Sequence, residues 1–146
     1  MIRIIKNSDL AQCGMIYAKA FPMGHWGIDW TTDNATEYLH DFFEQKRFVG
    51  FVYEENDEVL GCIFALRKIS GSKEEIYINE MAVLPERQGQ GIGKQLLNAV
   101  KDYSNDKGLV GIVRHVFYKR SKTKKWISTD YGNSFWVRGG CLWKRE

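Results

Sequence analysis

No apolar run among these 146 residues is long enough to cross a bilayer. The longest, Val59 to Leu66, is interrupted by Gly61, whereas a spanning helix needs roughly 20 residues. The opening residues also lack the charged-then-apolar plan of a secretory signal, since Asp9 and Gln12 follow soon after Ile2 to Ile5. A soluble, cytoplasmic protein with no membrane partner is expected. Cysteine is sparse as well: Cys13, Cys62 and Cys141 show no CxxC or Cys/His spacing. Neither a disulfide framework nor a zinc site is indicated, so buried thiols and no metal are expected.

The length suits one domain able to bury a core, and the whole chain, 1–146, is read as a single domain. Its charge is uneven. Residues 114–146 carry nine Lys/Arg against two Asp/Glu, a net of +7, which leaves −4 for residues 1–113 out of a whole-chain +3. The composition therefore changes near Val113, and 114–146 reads as an atypical basic, aromatic tail.

Hydrophobic spacing gives the elements. Ile2 and Ile4 alternate as in a strand, and Asn7-Ser8-Asp9 offers a cap to a helix carrying Leu10, Ile16, Tyr17 and Ala20. Phe21 to Trp30 holds Pro22, Gly24 and Gly27 and reads as an aromatic loop. A second helix follows from about Thr32, a plausible cap, with Ala35, Tyr38, Leu39, Phe42 and Phe43 on one face. Phe48 to Tyr53 and Val59 to Ile69 make a hairpin across Glu54 to Glu58, and Gly71 to Lys73 is a further turn. Glu75 to Leu84 reads as a strand ended by Pro85. Ile92, Leu96, Val100 and Tyr103 then form a helical face that stops near Gly108, and Leu109 to Val113 begins another strand. The order β-α-α-β-β-β-α-β implies an α/β (α+β) domain with helices flanking a mixed sheet.

The chemistry concentrates in Gln88-Gly89-Gln90-Gly91-Ile92-Gly93-Lys94, between a strand and a helix start. The first amides of a helix lack intrahelical acceptors and lie at the positive end of its dipole, so they can donate to phosphate oxygens. Glycine lets backbone approach the anion closely, and Lys94 adds charge at the rim. Other phosphate loops do not fit. Walker A needs glycine where Gln88 stands and Ser or Thr where Gln95 stands, and the dinucleotide fingerprint needs glycine at Lys94.

What fits is Q/R-x-x-G-x-G/A, as Gln88-Gly89-Gln90-Gly91-Ile92-Gly93, after the strand Met81 to Pro85 and before Leu96-Leu97. This resembles the acetyl-CoA signature of the Gcn5-related N-acetyltransferase (GNAT) family, and the element order over 1–113 resembles that family too. The resemblance implies acetyl-CoA as co-substrate. Backbone at Gln88, Gly89, Gln90, Gly91, Ile92, Gly93 and Lys94 would cradle its pyrophosphate. The strand Met81-Ala82-Val83 would pair with the pantetheine amides, in a slot opened by a splay or bulge.

The implied reaction is acetyl transfer to a primary amine of a small molecule or peptide by direct attack on the thioester. Glu80 is the candidate base: Ile76, Ile78, Ala82 and Leu84 share its alternating face and would raise its pKa. Pairing with a cation, or a place at the cleft edge, is the alternative. The carbonyl would be polarised by the amide of Val83 or Met81. Family members commonly draw their acid from a tyrosine in A-x-x-F-Y-x-x-x-G-F. Here Phe117-Tyr118 sits too soon after Val113 and runs into a basic stretch, so Tyr118 is a candidate that departs from the pattern, with Tyr131 and water as alternatives.

The lost pattern and the charge shift coincide, which suits a divergent, rearranged or frame-shifted tail, although Trp126, Phe135, Trp136, Leu142 and Trp143 could still build closing strands. His25, Trp26 and Asp29, in the loop between the first helices, are candidate acceptor contacts, and with Asp33 they would suit a cationic amine. The rival reading is a non-catalytic CoA-binding module that has lost its acid. Nucleic-acid binding by the tail is the lesser alternative, and a homodimer is compatible with the exposed aromatics.

Overall fold

The computed structural model describes residues 1–22, 27, 29–114, 126–128, 134–138 and 141–144. Its element order begins β1 (Ile2–Ile4), α1 (Leu10–Ala20), α2 (Thr32–Phe43), β2 (Phe48–Glu55), β3 (Glu58–Ser70) and β4 (Lys73–Val83). It continues through α3 (Ile92–Asp106), β5 (Ile112–Arg114), β6 (Trp126–Ser128), β7 (Ser134–Arg138) and β8 (Cys141–Lys144). Strands β1 to β5 form one sheet in that order, antiparallel up to β4 and parallel between β4 and β5. The expected β-α-α-β-β-β-α-β order is therefore present. Strands occur at the aromatic tail positions too, but β6, β7 and β8 pair as a separate antiparallel sheet rather than extending the first.

Local chemistry explains the boundaries. The β2–β3 turn is tighter than the acidic run suggested, because Asn56 and Asp57 adopt φ of 52° and 62°. Asn and Asp tolerate this left-handed region, and two such residues match the twist of a hairpin. Helix α2 is capped by Thr31, one residue earlier than expected. The Thr31 hydroxyl accepts the Asn34 N–H and the Asn34 side chain accepts the Thr31 N–H. Asp9 is held by charge: its carboxylate takes both Arg3 guanidinium N–H groups at 2.8 and 2.9 Å and the Lys6 N–H at 2.7 Å.

The helices cover opposite faces of the first sheet. Cys13, Ile16, Tyr17, Ala35 and Leu39 of α1 and α2 are buried with Cys62 and Phe64 of β3. Helix α3 buries Ile92, Leu96 and Val100, and a Cβ on Gly61 would lie 3.0 Å from Ile92 and 3.2 Å from Leu96. Each such side chain contributes about 1.5–3 kcal/mol by leaving water. Gly14 sets the closeness of α1 and α2, since a Cβ there would stand 2.0 Å from Thr36 Oγ1. Cys13 and Cys62 are buried free thiols, and a hydrogen bond with Cys62, together with burial, raises the Cys13 pKa well above its ordinary value. Among the described residues, no helix is long and apolar enough to cross a membrane.

Candidate acetyl-transfer site

Strand β4 leads into a 3-10 turn, Pro85–Arg87, and then into α3 through Gln88 to Gly91. Gly89 and Gly91 have φ of 76° and 84°, a conformation that favours glycine. Gly91 is the N-cap of α3, and its carbonyl accepts the Gln95 N–H at 3.1 Å. The amides of Ile92, Gly93 and Lys94 are the first of the helix and so have no intrahelical acceptor. A Cβ added at Gly89 or Gly91 would find nothing within 4 Å, which leaves the helix start open to an anion. Side chains brace the loop from behind. Gln88 Nε2 donates to Val83 O at 3.0 Å, and Arg87 pairs with Glu55 at 2.7 Å and donates to Gln90 Oε1 at 2.9 Å. Arg87 is a functional neighbour that sequence reasoning missed.

Backbone polarity along β4 decides which residues face outward. The Leu84 N–H donates to Leu60 O at 2.9 Å, so strand alternation directs the polar groups of Ala82 and Glu80 toward β3 and those of Val83 and Met81 away from it. Strand β5 pairs with β4 over Ile76 to Ile78. The outward edge at Met81 and Val83 lies beyond that pairing. Ala82, buried and opposite Cys62 in the ladder, spaces these two residues and presents no free edge. Gln88 already occupies the Val83 carbonyl, which leaves the Val83 N–H and both Met81 groups. Gly93 faces this edge, with a Cβ position 3.7 Å from Met81 Cε and 3.9 Å from Val83 Cγ2.

Glu80 has different neighbours from those expected. Register places Glu80 opposite Phe64 but Ile78 opposite Ala65, with Asn79 as the extra residue of a β-bulge. Phe64 and Ala65 are consecutive and point to opposite faces, so Ile76 and Ile78 pack toward α3 while Glu80, Ala82 and Leu84 face α1 and α2. The apolar surround comes instead from the helices. Glu80 is 7% exposed, and the Tyr38 hydroxyl donates to its Oε1 at 2.5 Å. The Tyr17 phenol lies close by, and burial raises the Glu80 pKa while the two phenols oppose that rise. Burial and the nearby carboxyl raise the pKa of both tyrosines, so each is a neutral donor. Trp30 packs on both phenol rings, at 5.2 Å from Tyr17 and 4.9 Å from Tyr38, while Phe21 and Phe42 complete the cup.

A strand whose outer edge at Met81 and Val83 has no pairing among the described residues, a helix start suited to an anion behind it and a buried carboxyl before it lie together. The sequence profile of the Acetyltransferase (GNAT) family matches residues 14–123. The chain belongs to the GNAT family of acetyltransferases. This GNAT chain is 30% identical over 109 residues to YhfO of Bacillus subtilis strain 168, described as an uncharacterized N-acetyltransferase, with 73% of this chain and 72% of that one covered. The fold is shared with an aminoglycoside acetyltransferase, meta-AAC0020, from an uncultured soil metagenomic sample in complex with sisomicin. There the TM-score is 0.63 at 24% identity, over 84% of this chain and 78% of the other. Aminoglycoside N-acetyltransferase AAC(6')-Iy in complex with CoA shares it at TM-score 0.61 and 18% identity, over 84% and 77%.

Within this GNAT domain the residues named from sequence divide into groups. Gln88 to Lys94 gather at the helix start, Met81 and Val83 lie along the edge leading to it, and Glu80 lies one residue further back on β4. Asp29 is exposed just ahead of α2, where its carbonyl accepts the Asn34 side chain at 3.4 Å. His25, Trp26 and Tyr118 lie outside the described residues, as does Tyr131. Trp30 belongs to the aromatic loop already read from sequence as an acceptor region, whereas Tyr17 and Tyr38 were not singled out as neighbours of Glu80, because their spacing is that of a core face. A hydroxyl on an apolar helical stripe was the available signal.

Proposed function

We propose that the protein transfers an acetyl group from acetyl-CoA to a primary amine of a small molecule. The observation that carries this reading is the buried Glu80 carboxyl beside the open edge of β4. The anion-ready start of α3 supports a CoA pyrophosphate there, held by amides between Gln88 and Lys94 with Lys94 at the rim. The outward N–H groups of Met81 and Val83 support the pantetheine arm in the manner of an added strand.

Glu80 takes the proton of the incoming ammonium, leaving a neutral amine as nucleophile. Its nitrogen forms a bond to the thioester carbonyl carbon as the carbon–sulfur bond breaks, with the carbonyl oxygen polarised by the Met81 or Val83 N–H. The departing thiolate takes a proton from Tyr118 or from water, and that donor is restored by the second proton that the acylated nitrogen sheds in becoming the amide. The ring faces of Tyr17, Tyr38 and Trp30 near the carboxylate favour a cationic acceptor, with His25, Trp26 and Asp29 as further contacts on the loop.

The test is thiol release from acetyl-CoA by the purified protein across a panel of polyamines, aminoglycosides, amino acids and peptides, with the product weighed by mass spectrometry. Amine-dependent release with a gain of one acetyl group is expected. Tight CoA binding without release for any amine would defeat the proposal.

A further inference from the structure

The Glu80 carboxyl is surrounded by donors that the transfer chemistry leaves unused. Tyr38 Oη lies 2.5 Å from Oε1, and the Tyr17 ring stands 5.8 Å from that of Tyr38, close enough to oppose the effect of burial on the same carboxyl. Their positions are fixed from several sides, by Trp30, Phe21 and Phe42 and by the close α1–α2 crossing at Gly14. Among the described residues, this face of the sheet also carries the thiols of Cys13 from α1 and Cys62 from β3, with the Arg3–Asp9 pair acting on Cys13, and further along it Tyr77, opposite Leu66, with Lys68 over its ring. Burial and the two phenols act on the carboxyl among the described residues.

We propose that Tyr38 and Tyr17 are positioning residues that aim the Glu80 carboxylate and keep it ionised inside its apolar cup. This rests on Glu80 being the base of the transfer reaction. Burial alone favours the protonated acid, which cannot accept a proton. The hydrogen bond donated by Tyr38 and the nearby Tyr17 hydroxyl offset that preference, because phenols whose own protons are held tightly donate without ionising. A carboxylate has about four lone-pair directions, so the two phenols leave room for the ammonium N–H.

Tyr→Phe removes each hydroxyl while keeping the ring. The experiment compares wild type, Tyr38→Phe, Tyr17→Phe and the double variant in two measurements. The first is titration of the Glu80 carboxyl by carbon-13 NMR on glutamate-labelled protein, the signal being assigned by its loss in Glu80→Gln. The second is kcat/KM against pH. The expected results are a titration midpoint that rises in each single variant and rises most in the double, and an acid limb of the rate profile that moves upward with it. On the acid limb the loss approaches about tenfold per hydroxyl, as for one charge-assisted hydrogen bond, and it shrinks as pH rises. Unchanged midpoints in folded variants overturn the proposal, and so does a rate loss equal at every pH. If no amine is acetylated the reading of the enzyme fails, while the NMR midpoint still decides the role of the phenols.

Discussion

Replacing Gly91 by alanine probes the anion site through one atom. Gly91 holds φ 84° and ψ 3° as the N-cap of α3, and alanine in that left-handed region is strained by about 1–2 kcal/mol. A Cβ there meets nothing within 4 Å, so strain is the only loss in the free protein, and its Tm should fall by about 3–6 °C. The new methyl projects into the space assigned to the pyrophosphate. At a CoA concentration 100 times the wild-type Kd, ligand stabilises the native state by about 2.7 kcal/mol. A tenfold weaker variant at the same concentration gains about 1.4 kcal/mol, so roughly half of the ligand-induced rise disappears. Thermal unfolding of both proteins, with and without acetyl-CoA, reads both quantities. Loss of stability with the full ligand-induced rise retained would show that the anion does not sit at Gly91.

Two further substitutions test the other half of the site. Burial holds the Glu80 pKa above 4.5, so the native state resists ionisation more than the unfolded chain. Wild-type stability is therefore fully present at lower pH and declines as pH rises through the raised value. Glu80→Gln should gain on wild type in denaturant titrations as pH rises from the ordinary glutamate range through the raised value, while losing acetyl transfer, and a stability difference independent of pH would contradict this. In Gly14→Ala the Cβ falls 2.0 Å from Thr36 Oγ1 and 2.8 Å from Thr36 N and Cα. The helices must separate at a cost of about 1–3 kcal/mol, moving Tyr17 and Tyr38 with them, so urea unfolding and transfer rate should both fall; unchanged stability would refute the close crossing.

Element order and the anion loop were legible because both are local. Ile92, Leu96 and Val100 mark a helical face without reference to any other strand, and the free amides of a helix start follow from its geometry. The face of Glu80 was not legible. Simple alternation groups Glu80 with Ile76 and Ile78, but Asn79 opposes no residue of β3, and a bulge exists only relative to a partner. The tyrosines were hidden for a related reason, since Tyr17 and Tyr38 occupy positions that core packing alone explains. Thr31 displaced Thr32 as the cap because Asn34, three residues on, completes a reciprocal pair with it.

Asn79 links the two halves of the site. As the extra residue of β4 it separates a stretch paired with β5, Ile76 to Ile78, from the stretch at Met81 and Val83 whose outer edge is unpaired among the described residues. Bulges bend a strand and end its pairing. Its side-chain oxygen Oδ1 is buried without a hydrogen-bond partner, a state that costs about 1–3 kcal/mol and that selection for stability alone would remove. Deleting Asn79 leaves Ile78 opposite Ala65 and Glu80 opposite Phe64, so no side chain changes face. The straightened strand can then carry its pairing with β5 past Ile78 and close the edge. The deletion variant is expected to fold with stability equal to or above wild type, to keep the Tyr38–Glu80 hydrogen bond, and to lose the acetyl-CoA-induced rise in Tm. A folded deletion variant with the full rise would show that the bulge is not what holds the edge open.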